Sequence, residues 1–147
     1  LHRRDAFIAM SERLSPEQRS RNMAAVKNKN TAPEIIVRKA LHRLGYRFRL
    51  HRRALPGNPD IVLPRYRAVI FVHGCFWHGH DCRRGKRPST RTDFWNAKLD
   101  RNLERDRKNA ELLKELGWRV LVVWECETKD GENLDRSLTG FLQSSER

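Results

Sequence analysis

No stretch of the chain is apolar for the ~18 residues that a membrane-crossing helix needs, so a helical span is not expected and no membrane partner is implied. Residues 1–9 (LHRRDAFIA) are too short and too polar for the apolar core of a secretory signal. Met10 reads as an alternative start, with the preceding residues an upstream extension or remnant. Cysteine is scarce: three thiols cannot all pair within one chain, and without a signal they are expected to be reduced in the cytosol. A soluble, cytoplasmic protein is the expectation. Repeats and linker-like segments are missing too, which at 147 residues argues for one domain around one core. Acidic residues are the other shortage. Eighteen Asp and Glu against 31 Lys and Arg leave a net charge of +13. That imbalance speaks about partners rather than fold. Nucleic acid is the first candidate, because Lys and Arg meet phosphates directly. On charge alone a ribosomal or unspecific basic protein fits equally well.

Residues 1–14 read as a disordered extension and residues 15–143 as a single domain. Ser15, Pro16 and Gln18 carry helix-start signals. The short helix that follows, through about Val26, holds Arg19 and Arg21 and reads as an arm lying on DNA or as a solvated peripheral helix. Thr31-Ala-Pro-Glu34 forms a second capping box ahead of Ile35, Ile36, Val37, Ala40, Leu41 and Leu44 at helical spacing, stopped by Gly45. Tyr46, Phe48 and Leu50 alternate with arginines and predict a half-buried strand. After a Pro-Gly-Asn-Pro loop, Asp60–Leu63 and Ala68–Val72 read as strands around a turn at 64–67. Thr92 is expected to cap a helix reaching about Leu116, with Leu99, Leu103, Ala110, Leu113 and Leu116 on its buried face and Lys98, Arg101, Asn102 and Arg105 sharing another. Arg119–Trp124 is a central strand with Glu125 and Cys126 at its end, and a weaker helical pattern covers Leu134–Leu142. The order predicts an α/β fold with one mixed sheet flanked by helices.

The chemistry concentrates in His73-Gly-Cys-Phe-Trp-His-Gly-His-Asp-Cys82, directly after a strand. Cys75, His80 and Cys82, joined by the distant Cys126, supply the four donors of a closed Cys3His site, the usual composition of structural zinc. Ordinary thiols are the alternative. A site closed by four protein donors leaves no place for substrate, so catalysis is sought elsewhere. His73 and His78 are not needed by zinc, and Asp60 stands at the head of a strand where a carboxylate can meet a hard cation. An Asp60–Mg²⁺ centre with one of the two histidines as general base suits phosphodiester hydrolysis. Taken singly, Asp60 also fits a turn cap and His73 a core group. Phe76 and Trp77 lie between zinc donors, where burial of both looks difficult, so stacking on bases is expected of them; Phe94 is assigned to the core.

Pro59-Asp60, FVHGCFWHGHDC (71–82), TRTDFW (90–95), NLERDRKN (102–109) and LGWRVLVVWEC (116–126) closely resemble the Vsr endonucleases, the very-short-patch-repair nicking enzymes of bacteria. The resemblance spans roughly residues 15–127. It implies a restriction-endonuclease-like mixed sheet with a structural zinc site. It also implies a Mg²⁺-dependent nick 5′ to the thymine of a T:G mismatch left by deamination of 5-methylcytosine. Duplex DNA carrying that mismatch would be the partner of a monomer, with a functional link to a cytosine-5 methyltransferase and to mismatch-repair factors. By position, Asp60 and the main-chain carbonyl of Val72 would hold Mg²⁺. His73 and His78 match the catalytic histidines, with Asp106 orienting His78, and Glu34 matches a further acid at the centre. Cys75, His80, Cys82 and Cys126 match the zinc ligands. Phe76, Trp77 and Trp95 match a wedge that enters the duplex, Met23 its counterpart on the residue 15–30 arm, and Lys98 and Asn102 the contacts to the mismatched bases. The strand after Asp60 lacks the Glu/Asp-x-Lys of the wider nuclease superfamily, which leaves more of the work to Asp60 and the histidines. A zinc-stabilised DNA-binding module without catalysis, or a less specific restriction-like nuclease, are the competing readings.

Overall fold

A computed structural model describes residues 30–144. The expected extension at 1–14, Met23 and nearly all of the 15–30 arm lie outside the described residues. Helix α1 (Ala32–Arg43) is followed by β1 (Arg49–Leu50), β2 (Ile61–Leu63) and β3 (Ala68–His73). Helix α2 (Thr92–Glu115) then leads to β4 (Arg119–Trp124) and α3 (Gly131–Gln143). The strands form one sheet in the order β1-β2-β3-β4. Both hairpin pairs are antiparallel, and β3 and β4 run parallel. A parallel pair needs a long crossover connection, and α2 lies within that connection. The α/β class with a mixed sheet flanked by helices is the one expected.

Strand alternation sorts the side chains. Ala68, Ile70 and Val72 face α1 and α3, where they join Val37, Leu41, Ile61, Val123, Leu134, Leu138 and Leu142 in the main core. Val69 faces the other way, packing with Val62 and Leu113 of α2, with Phe71 and Val120 against them. The odd positions of β3 therefore point toward α2, and His73 continues that row to the strand end. This is what presents an imidazole to the α2 side of the sheet.

Four expectations change in detail. Only Arg49 and Leu50 pair as a strand, and both are exposed, although Tyr46 and Phe48 still pack on the core. The segment is an edge whose aromatics are used before pairing begins. Thr92 is the first helical residue rather than the cap; the cap is Arg91, in the left-handed region (φ 50°) without a side-chain acceptor. On α2, Leu99 and Leu113 are buried but Leu103 and Leu116 are exposed. A 24-residue helix outruns the small sheet it packs on, so its apolar positions are not buried evenly along its length. Conversely the tail helix is a full element: Asp130 caps it by accepting from the Asn133 N–H, and Leu134, Leu138 and Leu142 complete the main core.

Candidate active site

Asp60 immediately precedes β2, and the Val72 N–H donates to its Oδ2 at 2.7 Å, tying the carboxylate to the neighbouring strand β3. Burial, opposed by that hydrogen bond and reinforced by the charge of Glu34, pushes the Asp60 carboxyl up to about 7. Glu34 stands in the first turn of α1. Thr31 Oγ1 accepts from the Glu34 N–H at 3.4 Å, so half of the capping box forms. The glutamate does not return the bond to Thr31. Its Oε2 accepts instead from the Asn30 N–H at 2.8 Å and from Arg38 at 3.0 Å, and it meets His51 Nε2 at 3.3 Å. The donor atoms of Glu34, His51 and Asp60 lie within 4.8 Å of one another.

His73 and His78 stack with ring centroids 3.7 Å apart and planes 4° from parallel. They are not equivalent. His73 is buried at the end of β3, edge-on to Trp124 at 5.3 Å. Burial first, then the neighbouring His78, pulls its pKa down to about 3, which keeps it neutral at physiological pH. His78 Nδ1 lies 2.6 Å from Asp106 Oδ2 on α2. Nδ1–H donating to the carboxylate fixes the tautomer and leaves Nε2 unprotonated in the neutral ring. The donors of His73, His78 and Asp106 form a second cluster within 4.8 Å. Both clusters line a single cleft of about 740 Å³, shared with Val72, Trp77, Lys98 and Asn102.

Cys75, His80, Cys82 and Cys126 converge within 4.8 Å, with Cys126 delivered by the 3-10 turn Glu125–Lys129 that follows β4. The parallel register His73↔Trp124 places that turn beside the Cys75 loop. Zinc bonds of about 2.3 Å to sulfur and 2.0–2.1 Å to nitrogen at a tetrahedral angle set S···N at about 3.6 Å. Cys126 Sγ and His80 Nδ1 are 3.6 Å apart, so this pair of donors already has the spacing zinc requires. Burial pushes the Cys75 thiol up to about 12, and a bound cation would reverse that by favouring thiolate. Gly85 closes the loop: a Cβ there would stand 1.8 Å from the His80 carbonyl oxygen.

Phe76 and Phe94 are placed otherwise than expected. Phe76 is 1 % exposed and packs with Trp95 and Leu99, because a loop folded around four donors encloses its own small core. Trp77 is half-buried, lies edge-on to Phe76 at 4.9 Å, and lines the cleft. Phe94, assigned to the core from the sequence, is 43 % exposed beneath Arg91, whose guanidinium lies 4.6 Å from its ring centre. Asn102 Nδ2 donates to the Trp77 carbonyl at 3.1 Å and its Oδ1 accepts from Arg105, so its amide is held at both ends. Lys98 lines the same wall.

The structure thus gathers Asp60, Val72, His73, His78, Asp106, Glu34, Lys98, Asn102 and Trp77 around one cleft. Phe76 and Trp95 stand behind Trp77. His51 is the site residue that sequence reading missed. The signal for it was the hairpin: Leu50 pairs with Ile61, so the next residue out falls beside Asp60, and the His51 N–H donates to the Asp60 carbonyl at 3.2 Å.

Comparison with known proteins places the chain in a family. The family described as "DNA mismatch endonuclease Vsr" matches residues 11–84. The Type II nicking enzyme V.XorIIP of Xanthomonas oryzae pv. oryzae is 53% identical over 136 residues, covering 92% of this chain and 100% of that protein. The DNA mismatch endonuclease Vsr of Escherichia coli (strain K12) is 49% identical over 126 residues, covering 85% of this chain and 81% of that one. The Type II nicking enzyme V.NmeAIP of Neisseria meningitidis is 46% identical over 121 residues, covering 82% and 86%.

Proposed function

The chain belongs to the Vsr family of DNA mismatch endonucleases, and on that premise we propose that it nicks one DNA strand 5′ to the thymine of a T:G mismatch in a Mg²⁺-dependent hydrolysis. The observation that best supports this reading is the cleft itself. A buried carboxylate, a stacked histidine pair and the His78–Asp106 dyad share it with Lys98 and Asn102, whose side chains suit base edges.

Asp60 and the Val72 carbonyl would hold Mg²⁺, which takes few protein ligands and keeps most of its waters; when bound it supplies charge stabilisation at the scissile phosphate. The remaining work belongs to side chains. His78 takes the proton of the attacking water at Nε2, because its Nδ1 is committed to Asp106. Asp106 orients the ring and stabilises the imidazolium as it forms. His73, neutral and buried against His78, fixes the ring plane of its neighbour. Glu34 completes the acidic side of the centre. Zinc at Cys75, His80, Cys82 and Cys126 braces the loop that presents His78 and Trp77.

Trp77 lies at the cleft with Phe76 and Trp95 packed behind it. In this reading it is the leading edge of the wedge that unstacks the mismatch, with Met23 its counterpart on a DNA-contacting arm spanning residues 15–30. The domain extends over residues 15–143 and acts as a cytoplasmic monomer beside a cytosine-5 methyltransferase and mismatch-repair factors. A single-turnover nicking assay on T:G duplex with Mg²⁺ tests the catalytic assignment. Asp60→Ala and His78→Ala should each lower the rate by about 10²–10⁴-fold. Unchanged rates in both variants would refute it.

A further inference from the structure

One imidazole on the floor of the cleft is left unassigned by the reaction as described above. His51 lies one residue beyond β1, its backbone in the left-handed region (φ 46°), with its side chain 20% exposed and Nε2 3.3 Å from Glu34 Oε2. A non-glycine residue rarely adopts that conformation without a local reason. Here the conformation accompanies an N–H bond to the Asp60 carbonyl and a ring directed at the acidic pair.

Two donors bound to one octahedral ion at about 2.1–2.2 Å stand about 3 Å apart along the octahedron's edge. The Glu34–His51 separation of 3.3 Å is close to that edge, and Asp60 completes a trio whose donor atoms lie within 4.8 Å. The members are held from outside the trio. Arg38 and the Asn30 N–H fix Glu34 Oε2, and the Val72 N–H fixes Asp60 Oδ2. Arg38 also offsets one of the two carboxylate charges, so the remainder suits a single divalent ion with waters completing its shell.

We propose that His51 is a direct ligand of the divalent cation held at Asp60, with Glu34 as the third side-chain donor, and that this imidazole biases the centre toward Mn²⁺ over Mg²⁺. The inference rests on the reading of Asp60 as metal-binding. Mg²⁺ favours oxygen donors and dehydrates reluctantly, whereas Mn²⁺ accepts carboxylate and imidazole together. The competing role for His51 is purely positional, a hydrogen bond that holds Glu34 in place.

The two are separated by adding Mn²⁺ to the full-length, zinc-loaded protein without DNA. Electron paramagnetic resonance follows binding, and electron spin echo modulation reads directly bonded ¹⁴N. Wild type should show ¹⁴N coupling that survives His73→Gln and disappears in His51→Gln. The same His51→Gln change should weaken Mn²⁺ about tenfold or more while weakening competing Mg²⁺ less than about threefold. Absence of ¹⁴N coupling in Mn²⁺-loaded wild type overturns the proposal without recourse to any variant. So does coupling that persists in His51→Gln, or equal weakening of both ions. Asp60→Asn tells this failure from that of the underlying reading. Mn²⁺ binding unaffected by Asp60→Asn refutes Asp60 as a ligand and the His51 proposal with it. Binding lost in Asp60→Asn but spectroscopically unchanged in His51→Gln refutes His51 alone. Zinc content, measured in every variant, reports that the fold is retained.

Discussion

Replacing Asp60 by Asn should abolish nicking and, in Mg²⁺-free buffer, make the protein more stable at pH 8. The native Asp60 carboxyl is raised from 3.8 to about 7, chiefly by burial and further by Glu34. Between those two values the native carboxyl is protonated while the unfolded one is ionised. The native state then binds more protons, and stability falls as pH rises through the window. Above pH 7 the native state bears the full cost of a buried, ionised carboxylate beside a second one. The shift of about three units corresponds to about 4 kcal/mol as an upper bound. Asn must itself be desolvated, so a gain of about 1–3 kcal/mol is the realistic expectation. An amide oxygen can still accept from the Val72 N–H, and the amide N–H₂ turns a donor where Asp60 opposed Glu34. Urea unfolding at pH 4, 6 and 8, with zinc retained, measures the difference. At a slope of about 2 kcal/mol per molar urea, the Asn variant should unfold about 0.5–1.5 M later at pH 8, and the gap should narrow toward pH 4, where the native carboxyl is neutral and the unfolded one is only partly ionised. The depressed His73 is common to both proteins and cancels. Added Mg²⁺ should then raise the midpoint of wild type only. An Asn variant that is less stable at pH 8, or whose advantage is the same at every pH, would refute the argument.

Three further outcomes follow from the geometry. Asp106→Asn should slow nicking by about 10–10³-fold while leaving duplex affinity within about twofold, since it releases the tautomer of His78 without touching DNA; an affinity loss matching the rate loss would contradict this. Gly85→Ala forces a Cβ 1.8 Å from the His80 carbonyl, so zinc per chain, read by atomic absorption, should fall well below one with a lower melting temperature; full zinc occupancy and an unchanged melt would show that the loop yields easily. Phe76→Ala should cost about 3–5 kcal/mol in unfolding free energy, as expected for a buried aromatic, whereas Trp77→Ala should cost less and chiefly reduce the preference for mismatched over matched duplex. Equal stability losses would erase the distinction between a packing residue and a wedge.

Local signals carried the fold far. Thr31 with Gly45 bounded α1, and the apolar run Arg119–Trp124 coincided with β4. The donor pattern of 75–82 with Cys126 is a chemical signature that needs no register, and its members do converge. Tertiary facts were what local pattern could not supply. Whether Phe76 faces solvent or Trp95 depends on how the loop from Cys75 to Cys82 closes over α2, and Leu103 and Leu116 recur at helical spacing yet are exposed. Glu34 satisfied a capping template that its carboxylate then forsook for Arg38 and His51. His51 itself sits in an arginine run with no motif around it. Only the β1–β2 register, from a pairing two residues long, brings it to Asp60.

The most direct test of the central claim is the position of the cut. Duplexes of one sequence carrying T:G, its exchanged orientation G:T, or the matched pair T:A, each end-labelled on either strand, are incubated with protein and Mg²⁺ under single turnover. The account predicts one product: a nick 5′ to the mismatched thymine, moving to the opposite strand when the mismatch is reversed, with the matched duplex intact. Cleavage of T:A at a similar rate, cutting of both strands, or binding to T:G duplex without a nick at any Mg²⁺ concentration would contradict it.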